Sequence, residues 1–460
     1  MKSPYTLLAR FRLLPSSLAL ARVCLGCTLL VLLGDYFSIR KLYFVEGAFL
    51  SAESVREIAA FPRLVPDFLV PESESQVVVL LSIATLAVLV LMSGRFLGAA
   101  SLVVFVVLAS FRDRFPFIYG PGDAALKLVL IWVFYAHFFQ QPFAIDPAVR
   151  RRWQLLFSLS YLILVVALYE ASVIEKLRFP EWTTEMDALS YLAVVKKTYT
   201  PWGSWVLERT PRWALVILTA VVMVVESLGV LLLFVPRPAL RRRLALFFLG
   251  FHFVIVVFVN VRLIAYVFMV LWFVFLQIPP RLARRTAWLR PRARPLQDWR
   301  LKLGVTGFLV LNVLIWHGLV VRFLPELKVP VLSHAASRLG LEQRWSMFAN
   351  PELLAQNNFV SIDALLTDGS RIDPFTGKAP QLAFSPVELH DEHTGYTSNF
   401  MKRFWTNSSD STFRILERAV CHDYRSSTGA RALSAKVSFV SIPPRGERVV
   451  KPYHLVKCAP

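Results

Sequence analysis

Nine apolar runs dictate what this chain can fold into: Leu18 to Phe37, Ser75 to Ser93, Phe96 to Phe111, Ala124 to Phe139, Leu155 to Ile174, Trp213 to Val235, Leu244 to Val259, Leu263 to Ile278 and Leu303 to Val321. At about 1.5 Å of rise per residue, roughly 20 apolar residues cross the hydrocarbon of a bilayer. Lipid offers no water to an open backbone, so such runs must become helices that pack on one another. The expected fold is an all-α polytopic membrane helix bundle of about nine transmembrane helices over residues 1–323. A small extramembrane α+β domain is expected over residues 324–460. Phe96 to Phe111, and the two runs parted only by Asn260-Val261-Arg262, are short; tilted, re-entrant or fused segments stay open there.

Charge sets the orientation. The net charge is +20 and 56% of the 460 residues are hydrophobic, a combination that excludes a soluble globular enzyme and a disordered chain. The basic residues fall in short loops between apolar runs, which encodes topology rather than nucleic-acid binding. Arg95, Arg150 to Arg152, Arg237, Arg241 to Arg243 and the arginines from Arg281 to Arg300 share one side if the amino terminus is cytoplasmic. The expected location is the cell (inner) membrane, multi-pass, with the bilayer as the first partner, the C-terminal domain external and Lys176 on that outer side. The first run follows Lys2, Arg10 and Arg12 and has no small-x-small cleavage site before Asp35, so it reads as a retained anchor.

Beyond Val321 the apolar runs shorten. Phe359 to Leu365, the turn residues Asp368-Gly369 and Ser370 to Asp373 read as a hairpin. Ser411 to Cys421 reads as a helix capped by Ser411, and Lys436 to Ile442 as a strand. Cys24 and Cys27 share a helical face inside the first run and read as small packing residues. Cys421 and Cys458 both lie in the tail, and an oxidising compartment would let them pair.

Ionisable residues in or beside the runs are the chemical candidates. Lys176 ends a long apolar run within Tyr169-Glu170-Ala171-Ser172-Val173-Ile174-Glu175-Lys176-Leu177-Arg178-Phe179-Pro180-Glu181-Trp182. An ammonium at that depth is costly and marks a functional candidate, although a lysine at a helix end can also snorkel to the interface. Glu226 lies deep in the sixth run and needs a proton or a partner, with Arg262 or His252 as candidates. His252 stands eight residues before Asn260, about two helical turns, so both can face one bundle interior. Each polar residue taken alone also suits an interhelical hydrogen bond. The sequence holds no P-loop, no Gly-rich dinucleotide fingerprint and no His-Glu-x-x-His. The knot Leu389-His390-Asp391-Glu392-His393 has metal-ligand residue types, but as a solvated loop it needs no metal.

Several of these stretches resemble a known family. Tyr169 through Trp182, Asp187 to Leu192 and Thr200-Pro201-Trp202-Gly203-Ser204-Trp205 resemble the core of the HTTM family, the horizontally transferred transmembrane domain shared by vitamin K-dependent gamma-carboxylases and many bacterial membrane proteins. Tyr119 to Asp123 is similar to its Gly-Asp turn, Glu226 to its acidic helix residue, and Phe251-His252 with Asn260 to its histidine-asparagine helix. Gln343 to Pro351, Asp368-Gly369 and Asp373 are similar to the external tail of the bacterial members.

The resemblance implies a quinol- and oxygen-dependent modifying enzyme, of a glutamate-carboxylation kind, acting at the external face on an exported peptide or small-molecule substrate. Its cofactor would be a reduced, vitamin K-like quinone. Lys176 would be the general base, with His252 also catalytic, and Glu170, Trp182, Glu226, Asn260 and Arg262 would line the quinone and substrate pocket. Glu175, directly beside the lysine, departs from the family's small residues. A carboxylate contact favours the ammonium, whereas a base must be a free amine. The rival expectation is a non-enzymatic membrane carrier or assembly protein that keeps the fold, with Lys176 paired to Glu170, Glu175 or Glu181.

Overall fold

A computed structural model describes residues 11, 13–45, 52, 55, 64–116, 121–138, 147–190, 200–259, 263–276, 298–338, 357–374, 417–423, 429–442 and 449–458. The elements run α1 Pro15–Ser38, α2 Arg40–Tyr43, α3 Glu74–Ser93, α4 Leu97–Arg114, α5 Pro121–Phe138, α6 Pro147–Lys176, α7 Pro201–Arg209, α8 Arg212–Val224, α9 Pro238–Phe258, α10 Leu263–Phe273, α11 Asp298–Phe323 and α12 Pro330–Arg338. Strands β1 Asn357–Leu366, β2 Arg371–Ile372, β3 Ala432–Ile442 and β4 Val449–Lys457 follow.

Local chemistry explains where these helices begin and end. Pro15, Pro201 and Pro238 each open a helix, where a missing N–H loses nothing and φ is preset. A capping box starts α3: Ser73 Oγ accepts from Gln76 N while the Gln76 side chain accepts from Ser73 N, so two orphan donors are satisfied at once. Gly94, at φ 78°, ends it, in the left-handed region that glycine enters freely.

Among the described residues, four helices are long and apolar enough to cross a membrane: Ser16–Ser38, Glu74–Ser93, Arg151–Lys176 and Arg212–Phe234. At 20 to 26 residues each, they extend about 30–39 Å. Helices occupy the other five apolar runs as well, but these are shorter or carry charged residues along their length. Length and composition therefore support four crossings. The faces agree with this: Val79, Ile83, Leu86 and Leu89 on α3, and Trp213, Ile217, Val221 and Val224 on α8, are exposed. Apolar surface on this scale is foreign to a protein in water and consistent with a membrane protein.

The core centres on α10, which packs against α1, α5 and α9 and buries Leu263, Ile264, Val267, Phe268, Leu271 and Trp272. Its amino end meets α5 closely. A Cβ on Gly122 would stand 3.2 Å from the Ile264 backbone nitrogen, so glycine lets the two helices cross this closely without displacing that backbone. Polar groups tie helices together inside: Tyr161 Oη donates to Leu271 O at 3.0 Å, and Ser160 Oγ to Asn312 Oδ1 at 2.6 Å. Between lipid-solvated helices such bonds and close packing replace the hydrophobic effect as glue.

The tail forms an antiparallel sheet in the order β2-β1-β3-β4. The turn at Asp368-Gly369 joins β1 to β2, with Gly369 at φ 81° and Leu366 N donating to Ser370 O at 2.9 Å. Lys436 to Ile442 lies within β3, paired to both β1 and β4. Of the expected helix Ser411 to Cys421, residues 411–416 lie outside the described residues, and Cys421 sits in a short π-helical turn, Arg418–Asp423. Cys421 and Cys458 form a disulfide, with Cα atoms 5.2 Å apart.

Candidate functional site

Lys176 is the last residue of α6, and the chain folds back at once to cover it. Phe179 N donates to Lys176 O at 3.0 Å, and Pro180 then opens a 3-10 turn, Pro180–Trp182. The Trp182 ring ends over the ammonium, its centroid 4.8 Å from Nζ, a cation–π contact. Lys176 is 3% exposed and Trp182 2%. The lysine therefore does not snorkel to the interface; it is roofed by an indole inside the protein.

Its ammonium donates to Glu226 Oε2 in an ion pair that joins two distant stretches of chain. Glu226 belongs to a π-helical segment, Val225–Gly229, that follows α8 directly. An inserted π-turn re-aims side chains relative to the α-helix before it, and such turns recur at functional sites. Glu175 instead pairs with Arg178 Nη1 at 3.4 Å. The carboxylate contact that marks a structural lysine is thus made, but by Glu226 rather than by Glu170, Glu175 or Glu181.

A second polar group lies about two turns down α6. Trp272 Nε1 on α10 donates to Tyr169 Oη at 2.7 Å, and Tyr169 Oη also meets His252 Nε2 on α9. An indole N–H only donates, so the phenol oxygen accepts from Trp272 while it also hydrogen-bonds to the histidine. Phe248 stacks on Trp272 with centroids 4.1 Å apart and planes 4° from parallel, and Phe268 stacks on His252 at 5.2 Å. Tyr169→Phe should strand two buried polar groups, the indole N–H and the imidazole nitrogen, and cost about 1–3 kcal/mol. Thermal unfolding in detergent measures this; an unchanged midpoint would show that the three-helix bridge contributes nothing.

Glu170 is half-buried with Oε1 lacking a hydrogen-bond partner. Asn260 and Arg262 lie outside the described residues, as do His390 and His393. Lys176 and His252 each bond to a different partner: the lysine to Glu226, the histidine to Tyr169. Thr200, from the quoted Thr-Pro-Trp-Gly stretch, caps α7 through Gly203 N at 3.1 Å and ties it to the end of α9 through Val257 O at 2.5 Å. Asp187 accepts from Arg212 Nη2 at 3.0 Å, docking its stretch on α8. Among the described residues no group of three His, Cys, Asp or Glu side chains could hold a metal ion.

No family model, characterised protein or solved structure matches this chain. Its functional reading therefore rests on residues and geometry. Sequence reasoning passed over Tyr169 and Trp272 as site residues, yet each carried a signal: an indole or phenol inside an apolar run needs a polar partner.

Proposed function

We propose that this chain is an integral membrane enzyme with about nine crossings, a cytoplasmic amino terminus and an external tail, in which a lipid-borne quinol and oxygen serve to modify an exported peptide or small molecule. The resemblance to the gamma-carboxylases supplies the reaction class. The observation that carries the reading is the ion pair of buried Lys176 with half-buried Glu226, roofed by Trp182. Val173, Trp182 and Met223, with Phe179 packed on them, form an apolar cluster beside it, a surrounding suited to a quinone ring.

The pair answers the need of a base for a free amine. Within the bundle two full charges lose their hydration, and the cost of holding them approaches the gain from pairing. A proton passing from Lys176 Nζ to Glu226 Oε2 leaves a neutral amine and a neutral acid, and the amine can then take a proton from a phenolic hydroxyl. Trp182 excludes water from that exchange. A bound hydroquinone would supply the reducing equivalents for oxygen.

The second reading is a carrier or assembly protein in which the pair merely braces α6 against the segment after α8, and the carboxylate contact itself favours it. Oxygen uptake by the full chain in liposomes containing vitamin K hydroquinone separates the two. The enzyme reading expects quinol-dependent uptake that disappears in Lys176→Ala and in Lys176→Met/Glu226→Gln, a pair of neutral replacements that should keep the fold. Uptake surviving in a folded double variant, or none in the parent chain, would leave the bracing role.

A further inference from the structure

Three tryptophans between positions 202 and 213 stand exposed: Trp202 at 69%, Trp205 at 53% and Trp213 at 67%. An indole carries a large apolar body that a fold in water normally covers. Here the fold holds the indoles outward. At about 100° per residue, Trp202, Trp205 and Arg209 share one side of α7, and Gly203 and Leu207 fall on the other. Gly203 is buried, and Leu207 packs on the cluster of Val173, Trp182, Ala188 and Met223. The start of α7 is fastened to the end of α9, where Thr200 N donates to Phe258 O at 3.2 Å and Thr200 Oγ1 to Val257 O. With its inner side packed and its start tied, α7 cannot roll its tryptophans inward.

Position says what meets them. Trp213 is the second residue of Arg212–Phe234, one of the four helices long and apolar enough to cross a membrane, so it stands where a crossing begins. The exposed face of that crossing runs on from it through Ile217, Val221 and Val224. Only Thr210 and Pro211 separate α7 from α8, which sets Trp205 and Trp213 at the same end of the crossing. Cations accompany them. The Arg209 guanidinium lies 4.7 Å from the Trp205 ring centroid, and Nη1 donates to Trp205 O at 3.1 Å. The Arg212 side chain remains 65% exposed while it bonds Asp187. Indoles with one apolar and one polar end collect where hydrocarbon gives way to headgroups, and guanidinium groups at that level suit lipid phosphates.

We propose that α7 lies in the membrane interface, with Trp202, Trp205 and Trp213 seated at headgroup depth and Arg209 facing the phosphates of the same lipid layer. Because Leu207 on its other side packs on the cluster beside Lys176, α7 then stands as a wall between that lipid layer and the cluster. This placement is independent of any chemistry at Lys176.

Spin labels are placed one at a time through Trp202→Cys, Trp205→Cys, Val221→Cys and Ser370→Cys in the full chain carrying Cys24→Ser/Cys27→Ser. Each variant is reconstituted in liposomes of phosphatidylcholine and phosphatidylglycerol. Collisions are measured with oxygen, which concentrates in hydrocarbon, and with a water-soluble nickel chelate. Val221 on α8 and Ser370 at the β1–β2 turn are both exposed and serve as the lipid and water references. The labels at positions 202 and 205 should meet both reagents, with an oxygen-to-nickel ratio several-fold from each reference. The ratio of position 370 would place α7 in water, and that of position 221 would immerse it in hydrocarbon. Shielding from both reagents would mean that a second copy or another protein covers it; each of these overturns the proposal. Should a cysteine variant fail to insert, the native indoles report instead. In lipids brominated near the headgroup end of their chains, the parent should lose a larger share of its emission than Trp202→Phe/Trp205→Phe/Trp213→Phe; in lipids brominated at the chain ends the two should lose equal shares. The same loss in both lipids overturns the proposal.

Discussion

Replacing Lys176 with methionine should destabilise the bundle by about 3–5 kcal/mol, because it leaves the Glu226 carboxylate without its partner in a largely desolvated place. The side chains of Lys176 and Glu226 are 4% and 13% exposed, so solvent does little to screen the loss. Glu226→Gln should be costly for the mirror reason, an ammonium under Trp182 facing a neutral amide. The double variant should recover most of the loss, since apolar and neutral groups of similar volume tolerate the same space. Reversible unfolding in mixed micelles, arranged as a double-mutant cycle, measures the coupling, expected to exceed about 2 kcal/mol. Single losses that simply add would mean that the two groups do not act as a pair.

Removal of the tail disulfide should have a comparable effect on the sheet. Cys421 and Cys458 are separated by 37 positions, and a cross-link closing a loop of that length restrains the unfolded chain by about 4 kcal/mol on the chain-entropy account. Cys458 follows β4 directly and its N–H donates to Leu433 O at 3.0 Å, so the bond anchors the last strand to the turn that holds Cys421. Cys421→Ser/Cys458→Ser should speed hydrogen exchange across β3 and β4 while leaving α1 to α10 unchanged. Equal exchange with and without the bond would show a sheet held by packing alone. The same pair bears on sidedness, since a stable disulfide belongs to an oxidising compartment and the proposed external tail provides one.

What could be read from residues was whatever local chemistry decides. Apolar runs demanded helices and Asp368-Gly369 set a turn; each depends on neighbours in the chain. Lys176 stood out in the same way, because the cost of an ammonium after an apolar run does not depend on what it later touches.

The partners were another matter. A helix such as α3 is apolar on nearly every side, so no stripe marks which side meets which neighbour, and the geometry of packing alone chose Glu226 for Lys176. Glu175, adjacent in sequence, was the obvious contact, yet successive residues on a helix point about 100° apart, and its side chain pairs with Arg178 instead. The π-turn after α8 cannot be seen in Val225-Glu226-Ser227-Leu228-Gly229, since it arises from how the helix is packed. Tyr169, His252 and Trp272 meet from three helices whose order in the chain says nothing of their contact. The sequence by itself determined that this chain forms apolar helices with one costly lysine at a helix end; the tertiary structure alone decided what that lysine touches, because in an all-apolar helix only close packing distinguishes one face from another.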